Sequence, residues 1–291
     1  MSNKHPIISV VGSSGAGTST VKETFEKIFQ RENVSVAMIE GDAFHRFNRS
    51  EMKSELKKRY SQGDQTFSHF SFDANLLEKL ESVFKSYAET GNANTRTYIH
   101  NQEEAKLYGV DPGKFTEWRE LPEGTDLLFY EGLHGAAKDD KVNIPKYADL
   151  KIGVVPVINL EWIQKIHRDT DARGYTTEAV TDTILRRMHA YVHSICPQFT
   201  ETDINFQRVP VVDTSNPFIA RWIPTPDESL VVIRFKDPQG IDFPYLVSMI
   251  HDSWMSRANS IVIPGGKLDL AMQLILTPLI KRLVERSKKI G

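Results

Sequence analysis

The sequence predicts an α/β protein in which helices flank a mixed, mostly parallel β-sheet. Short apolar, β-branched runs alternate along the chain with longer amphipathic segments, and a glycine-rich segment follows the first of these runs. Such alternation favours parallel strands that are covered by helices on both faces. The chain has 291 residues, of which 40% are hydrophobic, so it can build a sizeable core. We therefore expect a single domain over residues 1–291.

The elements follow from hydrophobic periodicity. Residues 101–125 are polar and contain several glycines and prolines, so they are interpreted as a loop-rich excursion. Strands are predicted at 7–11, 34–39, 95–100, 126–132, 150–157, 229–235 and 260–263. Helices are predicted at 18–31, 49–60, 74–88, 159–171, 177–194 and 267–288.

Composition excludes several classes of protein. Lys and Arg total 36 against 38 Asp and Glu, for a net charge of −2, whereas nucleic-acid binders usually carry a basic excess. The one cysteine, Cys196, excludes an intramolecular disulfide and a cysteine zinc site. Neither a signal peptide nor an apolar stretch long enough to span a bilayer is visible. We expect a cytoplasmic protein without a nucleic-acid or membrane partner.

The segment from Gly12 to Ser19 has the spacing of a phosphate-binding loop. Glycines let backbone N–H groups surround a polyphosphate, and the following helix adds the positive end of its dipole. Ser19 is placed to bind Mg²⁺, but Thr18 stands where the motif has lysine. Either the loop binds weakly, or a cation reaches it from elsewhere; a turn without a ligand is the alternative. The expected ATP contacts are Gly12, Ser13, Ser14, Gly15, Ala16, Gly17, Thr18, Ser19 and Thr20.

Two acidic residues follow predicted strands at the edge where ligands bind in open α/β sheets. Glu131 ends the strand at 126–132, as the Mg²⁺-supporting acid does in nucleotide-binding folds. Asp42 follows the strand at 34–39 and could accept a proton from an attacking hydroxyl, or it could merely cap the next helix. His45, Arg46 and Arg49 form a cationic cluster suited to an anion such as a sugar phosphate.

A second charged cluster lies near a helix end, at residues 165–175. Such clusters are usually solvated surface. Here Lys165, Arg168 and Arg173 could close over the nucleotide as a lid and supply the cation that the loop lacks. Tyr98 and His100 alternate on a predicted strand, so they either face one ligand together or pack.

Several segments together resemble one enzyme family. They are Gly-Ser-Ser-Gly-Ala-Gly-Thr-Ser-Thr at 12–20, Glu-Gly-Asp-Ala-Phe-His-Arg-Phe at 40–47, Phe-Tyr-Glu-Gly-Leu-His-Gly at 129–135 and Lys-Ile-His-Arg-Asp at 165–169. Over essentially the full chain the sequence is similar to the phosphoribulokinases of the shorter, proteobacterial class, in which threonine also occupies the loop position of Thr18. The resemblance implies an adenylate-kinase-like P-loop NTPase fold. It also implies phosphorylation of D-ribulose 5-phosphate by ATP to D-ribulose 1,5-bisphosphate, a Calvin-cycle step.

The resemblance also implies residue roles. Asp42 matches the catalytic base, and Asp169 matches a second essential acid whose role between metal and substrate stays open. Ser19 and Glu131 match the Mg-ATP ligands. The remaining matches are His45, Arg49, Tyr98 and His100 for the sugar phosphate, and Lys165, Arg168 and Arg173 for the lid, of which Lys165 is expected to be catalytic.

Regulation and assembly are further implications of the resemblance. Bacterial members are octamers that NADH activates and AMP inhibits. Candidates for the effector site are Arg31, Arg186, Arg187, Arg234 and Arg257. Dithiol control of the plant type needs two cysteines, which this chain lacks.

Two other functions stay open. One is a related P-loop kinase that acts on uridine or pantothenate, and the other is a non-catalytic nucleotide-binding regulator.

Overall fold

The structure is a computed structural model that describes residues 4–13, 18–172 and 174–290; for residues 18–20, 172 and 290 the description covers the backbone alone. The strands are β1 (Ile7–Val11), β2 (Val36–Glu40), β3 (Asn94–Thr95), β4 (Arg119–Glu120), β5 (Leu127–Gly132), β6 (Leu150–Val155), β7 (Ile204–Pro210), β8 (Ser229–Phe235), β9 (Trp254–Arg257) and β10 (Ser260–Pro264). The helices are α1 (Thr18–Arg31), α2 (Arg49–Ser61), α3 (Leu77–Thr90), α4 (Gln102–Tyr108), α5 (Ile158–His167), α6 (Thr177–Ala190), α7 (Phe243–Met249) and α8 (Leu268–Ile290).

Most of the described strands form one eight-stranded sheet in the order β2-β5-β1-β6-β7-β8-β10-β9. From β2 to β7 neighbouring strands pair in parallel, and β8, β10 and β9 continue the sheet with antiparallel pairs. Strands β3 and β4 pair separately as a short antiparallel ribbon. The predicted fold class, a mixed and mostly parallel sheet flanked by helices, is therefore confirmed.

Five of the described elements escaped the sequence-based prediction, namely α4, β4, β7, α7 and β9. In β7 the buried Ile204 and Phe206 alternate with the partly exposed Asn205 and Gln207. The prediction depended on continuous apolar runs, so it did not detect a strand with this alternation. The strand predicted at 95–100 is too long, because the ladder stops after β3 and Tyr98 makes only an isolated bridge.

Helix boundaries also differ from the prediction. The helix predicted at 74–88 starts at Leu77, after a 3₁₀ turn. The α-helices predicted at 159–171 and 177–194 are shorter than expected, since α5 ends at His167 and α6 ends at Ala190. A π-helical turn follows each of them. The expected excursion at 101–125 is only partly a loop, since it contains α4 and β4. Asn101 caps α4 by accepting two backbone N–H groups.

The central strands are buried on both faces, as their continuous apolar runs predict. Ile8 of β1 and Phe129 of β5 belong to the core that includes α1 and α8. Their neighbours Ile7 and Leu128 point to the opposite face and join a core that includes α3. None of the helices within the described ranges has both the length and the hydropathy needed to cross a bilayer.

The carboxyl ends of β1, β2 and β5 meet at one edge of the sheet. The register pairs Glu40 with Glu131 and Val11 with Gly132. A Cβ on Gly41 would lie 2.8 Å from the Gly132 Cα, so this close approach requires glycine at both positions. The chain therefore carries Asp42 close to the glycine loop that follows β1.

Candidate active site

The first part of the glycine loop is anchored to its neighbours. The backbone N–H of Gly12 donates to the carbonyl oxygen of Gly132 at 3.2 Å. Ser13 is fully buried, and its hydroxyl donates to a carboxylate oxygen of Glu161. The N-terminus of α1 follows the loop and has no acidic residue in its first turn, an arrangement that suits a bound anion. Of the predicted ATP contacts, Ser14, Gly15, Ala16, Gly17 and Arg173 lie outside the described residues, as do the side chains of Thr18, Ser19 and Thr20.

Asp42 lies in a 3₁₀ turn directly after β2, within a cavity. Its two oxygens face two histidines: Oδ1 is 3.1 Å from Nε2 of His45, and Oδ2 is 3.5 Å from Nε2 of His100. Burial opposes ionisation, but the hydrogen bond and charge of His45, followed by the charge of His100, lower the pKa of Asp42 to about 2. The carboxylate is therefore ionised at neutral pH.

Oxygen acceptors on both sides of the His45 ring favour its charged form. Its Nδ1–H donates to Oδ1 of the buried Asn75 at 2.9 Å. Asn75 is oriented by its own amide, which donates to the carbonyl oxygens of His69 and Ser71. Burial works against the charged ring, but Asp42 and then Asn75 raise the pKa of His45 above its usual value. A protonated His45 can bind an anion.

The Asp42–His45 pair should make the free energy of unfolding depend on pH. The pKa of His45 is raised above 6.5, so its contribution is fully present below pH 6.5 and is lost as the pH rises through the folded value. Urea unfolding between pH 5 and 9 tests this, with wild type compared with His45→Gln. We expect the stability difference between them to shrink as the pH rises. His189→Gln, at an exposed position on α6, is the control; a pH-independent difference for His45→Gln would contradict the assignment.

The cavity around Asp42 has a volume of about 890 Å³ and brings together His45, Arg49, Tyr98 and His100. Arg46, which was predicted to join this cationic cluster, instead borders a separate cleft, where its guanidinium donates to the carbonyl oxygens of Asp73 and Asn75. The rings of Tyr98 and His100 meet edge to face at 4.9 Å. Arg49 donates to the carbonyl oxygen of His100 at 3.2 Å. Tyr98 and His100 thus line one cavity and also pack against each other, so that a shared contact with one ligand stays a prediction. The backbone there is not a regular strand.

Further cationic residues in the cavity were missed in the sequence. Lys53 and Lys57 follow Arg49 along α2 and line the same cavity. Their four-residue spacing places all three on one helix face, and this spacing was the available signal. His69 also lines the cavity, but it lies in an irregular connection where no periodicity could reveal it. Burial and the nearby charge of Arg187 lower the pKa of His69 to about 3, so this ring is neutral.

The lid cations are paired with an acid. Lys165 contacts Oδ2 of Asp169, and Nε of Arg168 lies 3.0 Å from its Oδ1. Asp169 is 5% exposed, and burial raises its pKa, but Lys165 and Arg168 outweigh burial and lower it. Burial and the charge of Arg187 lower the pKa of Lys165. Lys165, Arg168 and Asp169 lie where α5 meets the π-helical turn. Asp169 contacts both cations there.

Two acidic residues, Glu40 and Glu131, are register partners at the ends of β2 and β5. Nζ of Lys22 lies 2.7 Å from Glu40; burial opposes its charge, but Glu40 and then Glu131 raise its pKa. Across residues 4–13, 18–172 and 174–290, no three His, Cys, Asp or Glu side chains converge on one metal position. Mg²⁺ typically takes one or two carboxylates and completes its shell with waters and substrate phosphates. The role of Glu131 as such a carboxylate ligand stays a prediction.

Two of the five predicted effector arginines lie in the active-site cavity. Arg186 and Arg187 line it, and the guanidinium of Arg187 lies 5.3 Å from the ring centre of Phe70. Their position favours contact with an anionic substrate over a remote effector.

The other three predicted effector arginines lie elsewhere. Arg31 donates to two polar side chains of α8 at 2.8 and 2.7 Å. Arg234 of β8 and Arg257 of β9 are both exposed and both pair with Ser260 of the intervening strand. Arg234 and Arg257 therefore lie at the same level of the sheet near its antiparallel edge.

Comparison with known proteins places this chain in a family. Residues 7–215 match the model of the Phosphoribulokinase / Uridine kinase family. Phosphoribulokinase 1 of Cereibacter sphaeroides is 73% identical over 99% of both chains, and phosphoribulokinase of Nitrobacter vulgaris is 70% identical over 99% of this chain and 100% of its own. The solved structure of phosphoribulokinase from Rhodobacter spheroides is 71% identical and superposes with a TM-score of 0.90, covering 98% of this chain and 99% of that one. The resemblance inferred from the motifs is confirmed.

Proposed function

The chain belongs to the phosphoribulokinase / uridine kinase family, and we propose that it transfers the γ-phosphate of ATP to the C1 hydroxyl of D-ribulose 5-phosphate. The products are ADP and D-ribulose 1,5-bisphosphate, the CO₂ acceptor of the Calvin cycle. The high identity to named phosphoribulokinases over the full length carries this conclusion. The site agrees with it, because an ionised Asp42 lies in a cavity lined with cations.

Asp42 acts as the general base in this reaction. Its carboxylate takes the proton of the C1 hydroxyl while the C1 oxygen forms a bond to the γ-phosphorus. The bond between the γ-phosphorus and the β–γ bridging oxygen breaks, and ADP leaves with that electron pair. When bound, Mg²⁺ neutralises phosphate charge, and Glu131 with Ser19 would hold it. Lys165, Arg168 and Arg173 stabilise the charge that is spread over the transferring group.

The substrate phosphate tunes the strength of this base. With His45 bonded to it, Asp42 has a pKa of about 2 and is a weak base. A sugar phosphate in the cavity competes for the His45 cation and is also bound by Arg49 and Lys53. Weakening of the His45–Asp42 contact then raises the basicity of Asp42 only when the correct acceptor is present.

The cationic lining also argues for a phosphorylated acceptor over uridine or pantothenate. Turnover with Mg-ATP and each of the three acceptors tests this. We expect ADP release with ribulose 5-phosphate to exceed that with either rival by at least about 100-fold, because an acceptor without phosphate cannot make the charge-assisted hydrogen bonds that the cationic lining offers. Faster turnover of uridine would favour the related kinase. Binding of ATP without turnover of any acceptor would favour the non-catalytic regulator.

Lys53→Gln is expected to raise the KM for ribulose 5-phosphate by about 10-fold with a smaller change in kcat. The substitution removes one charge-assisted contact that ground state and transition state share. Steady-state kinetics at saturating ATP measures both constants. Lys85→Gln is the matched control, since Lys85 is an exposed lysine of α3 and should leave both unchanged. A KM unaffected by Lys53→Gln would remove this lysine from the phosphate site.

We further propose that NADH activates the enzyme through a site that includes Arg31, Arg234 and Arg257. The exposed pair Arg234 and Arg257 supports an anion site away from the cavity. The ratio of velocity with NADH to velocity without it is expected to fall toward one in Arg234→Gln, with unchanged basal velocity.

The resemblance also supports an octamer that works in the cytoplasm. Measurement of the mass of the assembly in solution tests the octamer.

A further inference from the structure

A buried carboxylate beside the glycine loop has no part in the reaction just described. Glu161 of α5 is 5% exposed. One oxygen accepts the hydrogen bond from Ser13 of the loop. The other oxygen, Oε2, is buried and has no hydrogen-bond partner among the described residues. The side chain is therefore buried, and the hydroxyl of Tyr191 faces the same carboxylate as the hydroxyl of Ser13.

Glu161 shares its helix face with the lid cation. Lys165 follows it by four residues, and Asp169, which pairs with Lys165, follows by four more. A cavity of about 20 Å³ lies against Glu161, Lys165, Arg187 and the neighbouring Tyr191, which is room for one water molecule. One face of α5 therefore connects the glycine loop, through Glu161, to the pair of Lys165 and Asp169.

A carboxylate at this position is costly for folding. Burial raises the pKa of Glu161 to about 6, even though the hydroxyls of Ser13 and Tyr191 and then the charges of Lys165 and Arg168 lower it. An apolar side chain of similar size would usually serve stability as well or better. Residues that break such local rules are expected at functional sites.

The absence of a loop lysine suggests a function for the contact between Ser13 and Glu161. In a P-loop with lysine at the position of Thr18, the backbone itself fixes the cation relative to the phosphates. Here the proposed substitute, Lys165, lies on a separate helix. Its position relative to the loop then depends on contacts between α5 and the loop, and the Ser13–Glu161 hydrogen bond is such a contact.

We propose that Glu161 is a positioning residue that ties the glycine loop to α5 and so places Lys165 for phosphoryl transfer. This inference rests on the proposed function, since it assumes that Lys165 acts on the transferring phosphate. The proposal has two requirements. Glu161 must affect catalysis through Lys165, and the Ser13–Glu161 hydrogen bond must transmit nucleotide binding at the loop to α5.

A double-mutant cycle tests the first requirement. Glu161→Leu removes the acceptor and is expected to lower kcat by about 10- to 100-fold, with a smaller effect on ATP affinity. In a Lys165→Met background the same change should cost less than about 3-fold, because nothing remains to be positioned. Glu161→Gln keeps an acceptor for Ser13 and should restore kcat to within about 3-fold of wild type. Equal effects of Glu161→Leu in both backgrounds would overturn the proposal.

Ser13→Ala guards against a variant that fails to fold, because it deletes only the donor. Its kcat should fall as in Glu161→Leu. Ser9→Ala is the matched control: Ser9 is an equally buried serine of β1 whose hydroxyl donates to the carbonyl oxygen of Gly135 at 2.9 Å. It should leave kcat unchanged.

Hydrogen exchange tests the second requirement without using activity. Mg-ADP should slow amide exchange over residues 158–167 in wild type and in Glu161→Gln, but not in Ser13→Ala or Glu161→Leu. The same slowing in all four proteins would refute the tether. Turnover of ribulose 5-phosphate by wild type is measured alongside, so that failure of the proposed kinase activity is seen separately from failure of the tether.

Discussion

Asn in place of Asp42 is expected to lower kcat by roughly 10³- to 10⁴-fold, the upper range for loss of a general base, while ATP binding stays nearly unchanged. The amide has the size of the carboxylate but cannot accept the C1 proton at neutral pH. Asp42 lies in the acceptor cavity and contacts His45 and His100. Calorimetric titration with ATP and rapid-quench measurement of one turnover separate binding from chemistry.

Asp73→Asn is the control for this experiment. Asp73 is exposed and borders a separate, smaller cleft, so the substitution should leave kcat unchanged. Full activity of the Asp42→Asn protein would contradict the assignment of the base. A large loss of ATP affinity in that protein would indicate that Asp42 serves the nucleotide instead.

Lys165→Met is the second large effect, with an expected loss in kcat of about 10²- to 10³-fold, the size seen when one electrostatic donor to a transition state is removed. The KM for ATP should change much less, which indicates an interaction made mainly in the transition state. The physical reason is that Thr18 leaves the loop without its cation, and Lys165 is a largely buried ammonium at the end of α5. Steady-state kinetics over a range of ATP concentrations measures both constants.

Lys151→Met provides a closely matched comparison. Lys151 has 15% of its side chain exposed, against 11% for Lys165, and it also pairs with an aspartate, Asp203, at 3.0 Å. Loss of that pair should affect stability and leave kcat unchanged. If Lys165→Met also leaves kcat unchanged, the role of the missing loop lysine passes to Arg168 or Arg173.

The parts of the fold that the sequence predicted are those whose signal is local. Strands β1 and β5 are continuous apolar runs because helices cover both of their faces, and such runs are recognisable without the structure. Strand β7 lies farther along the same sheet and alternates buried Ile204 and Phe206 with less buried residues. The continuous apolar runs were recognised as strands. The alternating pattern of β7 was missed, although both patterns occur in a mixed sheet.

The site shows the same division between local and long-range signals. The placement of Asp42 and Glu131 at one edge of the sheet could be predicted because parallel strands bring their carboxyl ends together. Lys53 was missed even though its spacing from Arg49 was a usable local signal. No local pattern separates Glu161 from an ordinary exposed acid on an amphipathic helix. Its burial against Ser13, 148 residues earlier, follows only from the packing of α5 against the loop.

The central claim is that the ionised Asp42 directs the γ-phosphate of ATP to the C1 oxygen of ribulose 5-phosphate. The most direct measurement is ³¹P NMR of the products that the purified protein forms from Mg-ATP and ribulose 5-phosphate. The predicted result is a bisphosphate with phosphate esters at C1 and C5, formed in equal amount with ADP. Release of ADP together with inorganic phosphate, or no turnover under conditions in which ATP binds, would contradict the account.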